Sequence, residues 1–247
     1  MNRRLCTVAL AVMCMAAVAA ADAWRGRHGP VVRPPPLAYP GAVPALGFVP
    51  PAAGTYQLER ILHVPDGAVL DSDGTAHGLR AFTTGKITVF SFVYTYCTDA
   101  QGCPLAYATL HALKDMVVHD AALRGRVRLV SMSFDPVADT PAAMRSYGGA
   151  DADTDTGLAP WHFLTTASAA QLAPLLAGFD QDVAVVAPGA AGGRPPVLAH
   201  LLKVYLIDQA GIVREMYAPA YLHPAVLRND IATLLMEAKA AASAGRP

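Results

Sequence analysis

The chain has 247 residues, with 19 basic and 19 acidic side chains and only 15% charged residues. A formal net charge of zero excludes the electrostatic footprint that binding to nucleic acid or anionic lipid requires. Once the leader and the segment after it are set aside, about 190 residues remain, enough for one domain with a sizeable core.

Residues 1–23, "MNRRLCTVALAVMCMAAVAAADA", combine a basic head at Arg3 and Arg4, an apolar run beginning at Leu5 and small residues suited to A-x-A cleavage. They read as a secretory signal, with an uncleaved N-terminal anchor as the alternative, because the run falls short of the roughly 20 residues that span a bilayer. The protein is therefore expected to be exported, either to the periplasm or to the membrane facing it. Cys6 and Cys14 lie within this leader, and Met13 is a poor match to the small residue that a lipoprotein site needs before its cysteine. Residues 24–54 are dense in Pro and Gly without a sustained period, so they are expected to form an extended tether, with proline-rich recognition as the alternative.

A domain is expected over residues 55–240, followed by a flexible tail at 241–247. "VLDSDGTAHGLRAF" carries Asp-Gly turn chemistry between short apolar stretches and predicts a hairpin. "KITVFSFVYTY" has almost no polar relief and predicts a central strand buried on both faces. A helix should open at Pro104 with Leu105, Leu110, Leu113 and Val117 along one stripe. "RVRLVSMSFDP" predicts a second strand, and Thr140 should cap a helix opened by Pro141 and closed by Gly148. A short strand at "WHFLTT", a helix at "ASAAQLAPLLAGF", two strands around an Asp-Gln-Ala-Gly turn and a closing helix complete the expected order. Alternating strands and helices predict an α/β sheet covered on both faces.

Cys97 and Cys103 are the two cysteines left after the leader, and in an oxidising compartment they are expected to act together. A sulfur at a strand end that opens a helix lies near free N–H groups and the positive end of the helix dipole, which favours thiolate; Cys103 is the better placed of the two. A structural staple, a redox couple and a metal site all fit two such sulfurs. The staple is the least rewarding, since a loop with five intervening residues gives little chain-entropy stabilisation.

"VYTYC", "CP" with its helix, "SFDPVADT", "WHFLT" and "HLLKVYLID" occur in the order and rough spacing of the SCO/SenC family of thioredoxin-like copper proteins. The chain resembles that family from about Leu70 to Leu235. The resemblance implies a thioredoxin-like central sheet flanked by helices. It also implies a copper ion held by Cys97, Cys103 and His200, the last standing five residues before Tyr205. The implied role is a metallochaperone rather than an enzyme. It would deliver copper to a respiratory copper centre such as cytochrome c oxidase, or reduce that centre's thiols. The implied partners are a copper-accepting oxidase subunit and a thiol reductant protein. Two soft sulfurs and one imidazole suit Cu(I) while leaving Cu(II) accessible, whereas zinc usually wants a fourth ligand.

The family pattern is C-x-x-x-C, while this chain has "CTDAQGC", two residues longer. The alternative reading is a thiol-disulfide oxidoreductase using Cys97 and Cys103 as nucleophile and resolving partner without copper. A third is a binding module whose disulfide only stiffens a loop. His200 is expected on a mobile loop after "GAAGGRPP". His63, His77, His111 and His119 are expected at the surface, and His162 and His223 as structural residues. Asp99 is expected as a solvated loop carboxylate, Asp135 as either a strand-end cap or an anchor for the cysteine loop, and Met132 in the core.

Overall fold

Two seven-residue strands, β4 (Ile87–Val93) and β5 (Val127–Ser133), are buried at every position and lie parallel at the centre of the sheet. That follows from their near-continuous apolar and β-branched sequences, which only a sheet covered on both faces can hide. The computed structural model describes residues 43–153, 157–187 and 197–244. The leader expected at 1–23 and the tether up to residue 42 lie outside the described residues.

β4 and β5 belong to a six-stranded sheet in the order β1 (Leu62–His63), β10 (Ile212–Tyr217), β9 (Val204–Ile207), β4, β5 and β6 (Trp161–Leu164). β6 continues the parallel set beside β5, whereas β9 runs antiparallel to β4 with Tyr205 opposite Phe90. β10 and β1 extend the antiparallel side. β2 (Ala68–Leu70) and β3 (Ala76–Gly78) form the expected hairpin, with Gly74 at φ +85° in its turn.

The helices begin where capping chemistry places them. α1 (Arg80–Thr83) is a single turn before β4, and α2 (Cys103–His119) starts at the second cysteine with Pro104 in its first turn. Thr140 Oγ1 accepts from Ala143 N at 3.3 Å to open α3 (Pro141–Gly148), which is followed by the short α4 (Ala150–Asp153). Ser168 Oγ caps α5 (Ala169–Gly178) from Gln171 N, and His223 Nδ1 accepts from Ala225 N at the start of α6 (Pro224–Ala244). α6 continues to Ala244, so residues 241–244, expected in a flexible tail, are helical because the Ala-rich sequence sustains the helix.

The end of the segment expected as tether is docked on the domain. Asn229 Nδ2 donates to Pro51 O at 2.8 Å, Gly54 N donates to Thr233 Oγ1 at 2.9 Å, and the Phe48 ring meets Tyr221 at 6.0 Å. Backbone groups that find partners on α6 explain why this Pro-rich stretch is held there despite its lack of periodicity.

β7 (Val183–Ala187) and β8 (Val197–His200) pair only with each other, and residues 184–187 and 197–199 form a unit of their own. Neither strand was anticipated from the sequence. His200 belongs to the larger unit, which holds all the other described residues.

One face of the larger unit is filled by an aromatic cluster. Phe90 stacks on Phe179 at 4.7 Å, and Phe92 and Tyr205 meet Phe179 at 5.3 and 5.0 Å. The Tyr205 hydroxyl donates to Phe179 O at 3.0 Å, so the cluster's one polar tip is satisfied. Phe90→Ala removes the ring that touches both Phe179 and Tyr205 and should cost about 3–5 kcal/mol of stability, measured by urea unfolding.

Candidate metal centre

β4 ends at Val93, and the chain continues through Tyr94, Thr95 and Tyr96 to Cys97 at the C-terminal end of the parallel strands. Two carboxylates from the segment after β5 fix this run. Asp139 is fully buried and accepts from Thr95 N at 3.1 Å, Thr95 Oγ1 at 2.5 Å and Ser133 Oγ at 2.7 Å. Burial raises its pKa, and the Thr95 and Ser133 donors oppose that rise. Asp135 accepts from the Tyr96 hydroxyl through one oxygen and from Val137 N and Ala138 N through the other. It is therefore both the anchor and the strand-end cap that the sequence left as alternatives.

The longer loop between the cysteines folds back on itself. Asp99 Oδ1 accepts from Gln101 N at 3.0 Å, and Gly102 N donates to Asp99 O at 2.9 Å. A Cβ at Gly102 would lie 3.2 Å from Asp99 O and 3.3 Å from Cys97 Sγ, a tight approach that a larger residue would have to relieve by a small shift of the turn. The two extra residues are taken up in this turn, and both cysteines are free and buried, with the two sulfurs hydrogen-bonded to each other.

The electrostatics invert the expectation that Cys103 is the better thiolate. The Cys103 thiol donates to Cys97, and against the opposing effect of burial it lowers the Cys97 pKa to about 6, helped by the Tyr94 hydroxyl and the backbone N–H groups of Cys103 and Asp99. Burial pushes the Cys103 thiol well up, and its bond to Cys97 pushes it further. Cys103 is 1% exposed and forms the first residue of α2, so its own sulfur is desolvated while its N–H serves the facing cysteine.

His200 is the last residue of β8 rather than a loop residue. The chain on either side of this arm is clamped. Gln181 Nε2 donates to Leu201 O at 3.2 Å, the Tyr205 hydroxyl reaches Gln181 Oε1 at 3.3 Å, and Lys203 bonds to Asp180 O. The His200 ring packs against Phe134 at 4.6 Å and Tyr94 at 5.6 Å. Burial lowers its pKa, with Asp99 opposing, so the imidazole is held neutral near pH 7. Its Nε2 is buried and has no hydrogen-bond partner. Among the described residues no three His, Cys, Asp or Glu side chains are gathered closely enough to hold a metal. The two sulfurs are together, and Tyr94 touches both Cys97 and the His200 ring.

The SCO1/SenC family profile matches residues 67–236. The chain belongs to that family. Three solved structures illustrate the likeness. Arabidopsis thaliana ScoI with copper bound is 17% identical, with a TM-score of 0.57 over 70% of this chain and 98% of that one. A SCO1/SenC family lipoprotein from Bacillus anthracis is 23% identical, with a TM-score of 0.55 over 71% and 95% of the two chains. BsSco, described through a disulfide switch as a member of the Sco family of cytochrome c oxidase assembly proteins, is 22% identical, with a TM-score of 0.54 over 73% and 98%. No curated protein sequence matches the chain. These likenesses identify the α/β sheet as the thioredoxin-like fold.

Among the described residues, most of the other histidines have partners away from the cysteines. His77 and His111 pair with Asp71 at 2.8 Å and Asp151 at 2.9 Å, His119 bonds to Asp115 O, and the His162 ring meets Phe82 at 5.0 Å. His63 is exposed, and Met132 lies in the core as expected. Asp99 is exposed, but it is a turn-former as well as a solvated carboxylate. The sequence reading missed Tyr94, Phe134 and Asp139. Tyr94 continues the Phe90–Phe92 alternation one step beyond β4, and that periodicity was the available signal. In the reduced, metal-free protein, Cys97 should be alkylated by iodoacetamide with a half-maximal rate near about pH 6, falling below that pH as the thiolate is protonated. Peptide mapping should find Cys103 unmodified until the protein is unfolded.

Proposed function

We propose that this SCO1/SenC chain carries copper as cargo for the assembly of a respiratory copper centre, holding it with Cys97, Cys103 and His200. The observation that carries the proposal is the donor set itself: a thiolate at Cys97 bonded to the Cys103 sulfur, and near them a neutral imidazole whose Nε2 is buried without a partner. An orphaned buried nitrogen costs stability unless a ligand satisfies it, and two sulfurs with one imidazole match what copper accepts in either valence. Family membership and the copper-bound Arabidopsis relative support the cargo, and the printed role of BsSco supports assembly of cytochrome c oxidase.

The copper-accepting partner is then an oxidase subunit, and a thiol reductant protein keeps the two sulfurs reduced. Export by residues 1–23 is part of the proposal, consistent with the lipoprotein among the relatives. Among the described residues no helix is long and apolar enough to cross a membrane. The bonded Cys97–Cys103 pair also favours a second reading, thiol-disulfide exchange, because a low-pKa thiolate beside a protonated partner is the arrangement such exchange uses.

One copper per chain should bind the reduced protein, as measured by titration against a chelator, and Cys97→Ser or Cys103→Ser should abolish it. Oxidation to the Cys97–Cys103 disulfide, seen as a two-hydrogen mass loss, should abolish it too, since neither sulfur is then a thiolate. His200→Ala should weaken Cu(II) binding most and leave disulfide exchange nearly unchanged. Unchanged copper affinity with impaired exchange would favour the oxidoreductase.

A further inference from the structure

Tyr94 is the residue that touches both halves of the candidate centre. Its hydroxyl is hydrogen-bonded to Cys97 Sγ, and its ring packs edge-on against the His200 imidazole at 5.6 Å and 78°. The same ring meets Phe134 at 5.1 Å and Tyr96 at 4.8 Å. Phe134 meets the imidazole at 4.6 Å, so the rings of Tyr94, Phe134 and His200 touch one another in a triangle. The His200 ring thus packs against a pair of touching aromatic side chains, and Nε2 is buried without a partner, while among the described residues the three donors are not gathered.

We infer that Tyr94 is a latch: a positioning residue whose hydroxyl grips Cys97 and whose ring holds His200 back, so that the imidazole joins the sulfurs only when Tyr94 lets go. The inference rests on the proposed donor set and adds a control to it. Two features make the latch releasable. Its hold on His200 is a ring contact without a hydrogen bond to Nε2, and its hold on Cys97 runs through one phenol. Aromatic pairs of this kind are weak enough to open on a functional timescale. A ligand that can reach its partners only from a minor conformation binds with a rate and affinity reduced by that fraction. Loosening the latch therefore speeds loading, and this sign separates a latch from a residue that merely shapes the site, whose loss would slow loading.

The test compares Tyr94→Phe, which keeps the ring and removes the hydroxyl, with Tyr94→Leu, which removes both. In the reduced, metal-free chain, the His200 ring signals in NMR, assigned by their loss in His200→Ala, should carry the ring-current shift of their aromatic seat. They should keep most of it in Tyr94→Phe and lose much of it in Tyr94→Leu. Stopped-flow association of Cu(II) should be faster than wild type in both variants, most in Tyr94→Leu, by roughly threefold to tenfold, the scale of one aromatic pair. His200 signals unmoved in Tyr94→Leu, or association no faster in either variant, overturns the latch. If Tyr94→Leu fails to fold, the association rate of Tyr94→Phe alone decides it. If the wild-type chain takes up no copper through its cysteines, the cargo reading fails, and the ring-shift comparison still decides the latch because it uses no metal.

Discussion

The carboxylate of Asp139 is the contact on which the geometry of the centre depends. It stands after β5 and receives three hydrogen bonds, two from Thr95 after β4 and one from Ser133 at the end of β5. Two parallel strands end side by side, and their following loops would diverge unless something joined them. A buried carboxylate is costly unless its lone pairs are satisfied, so the fold can keep Asp139 only in the geometry that also fixes the Tyr94–Cys97 run. Asp135 adds the Tyr96 hydroxyl to the same tie. The strand pairing and the cysteine loop are therefore secured by one small polar core inside an apolar sheet.

From that tie the aromatic cluster leads inward. Phe90, Phe92 and Tyr94 follow one another on alternate residues; the first two pack with Phe179 and Tyr205, and Tyr94 packs with Phe134 and His200. Phe179 and Tyr205 lie near the two ends of the arm that carries His200, and Gln181 joins those ends. The two sulfurs differ in burial. Both sulfurs receive backbone N–H groups at the start of one helix, but Cys103 is the more deeply buried and donates its thiol proton to Cys97, so burial and that bond raise the one while the bond lowers the other.

Much of the fold was legible in the chain because its signals are local. Continuous apolar runs gave β4 and β5, Thr140 with Pro141 gave α3, and Asp-Gly gave the β2–β3 hairpin. The cysteine pair was legible through its place between a strand and a helix. The direction of its polarity was not, because that depends on which sulfur is desolvated, a property of packing. Asp139 resembles any loop acid until Thr95 is brought to it from 44 positions away. β7 and β8 were missed because they pair only with each other, leaving short apolar stretches without a larger sheet to assign them to. The docking of Pro51 and Gly54 was hidden because Pro- and Gly-rich sequence shows no period, yet its backbone groups can still be captured by a helix.

The clamp between Gln181 and Leu201 has a consequence for how such a chain can vary. By bringing together two positions 20 residues apart, it turns everything between them into an insertion whose ends are already closed. Closing a flexible loop becomes only about 0.6 kcal/mol harder with each doubling of its length. Length changes between these anchors, short of His200, therefore carry little thermodynamic cost for the core of the larger unit. Asp180, at φ +52°, lies just before the clamp in a conformation that Asp tolerates better than most side chains. Within a protein of fixed core, this is a place where divergence can tailor recognition without renegotiating the fold.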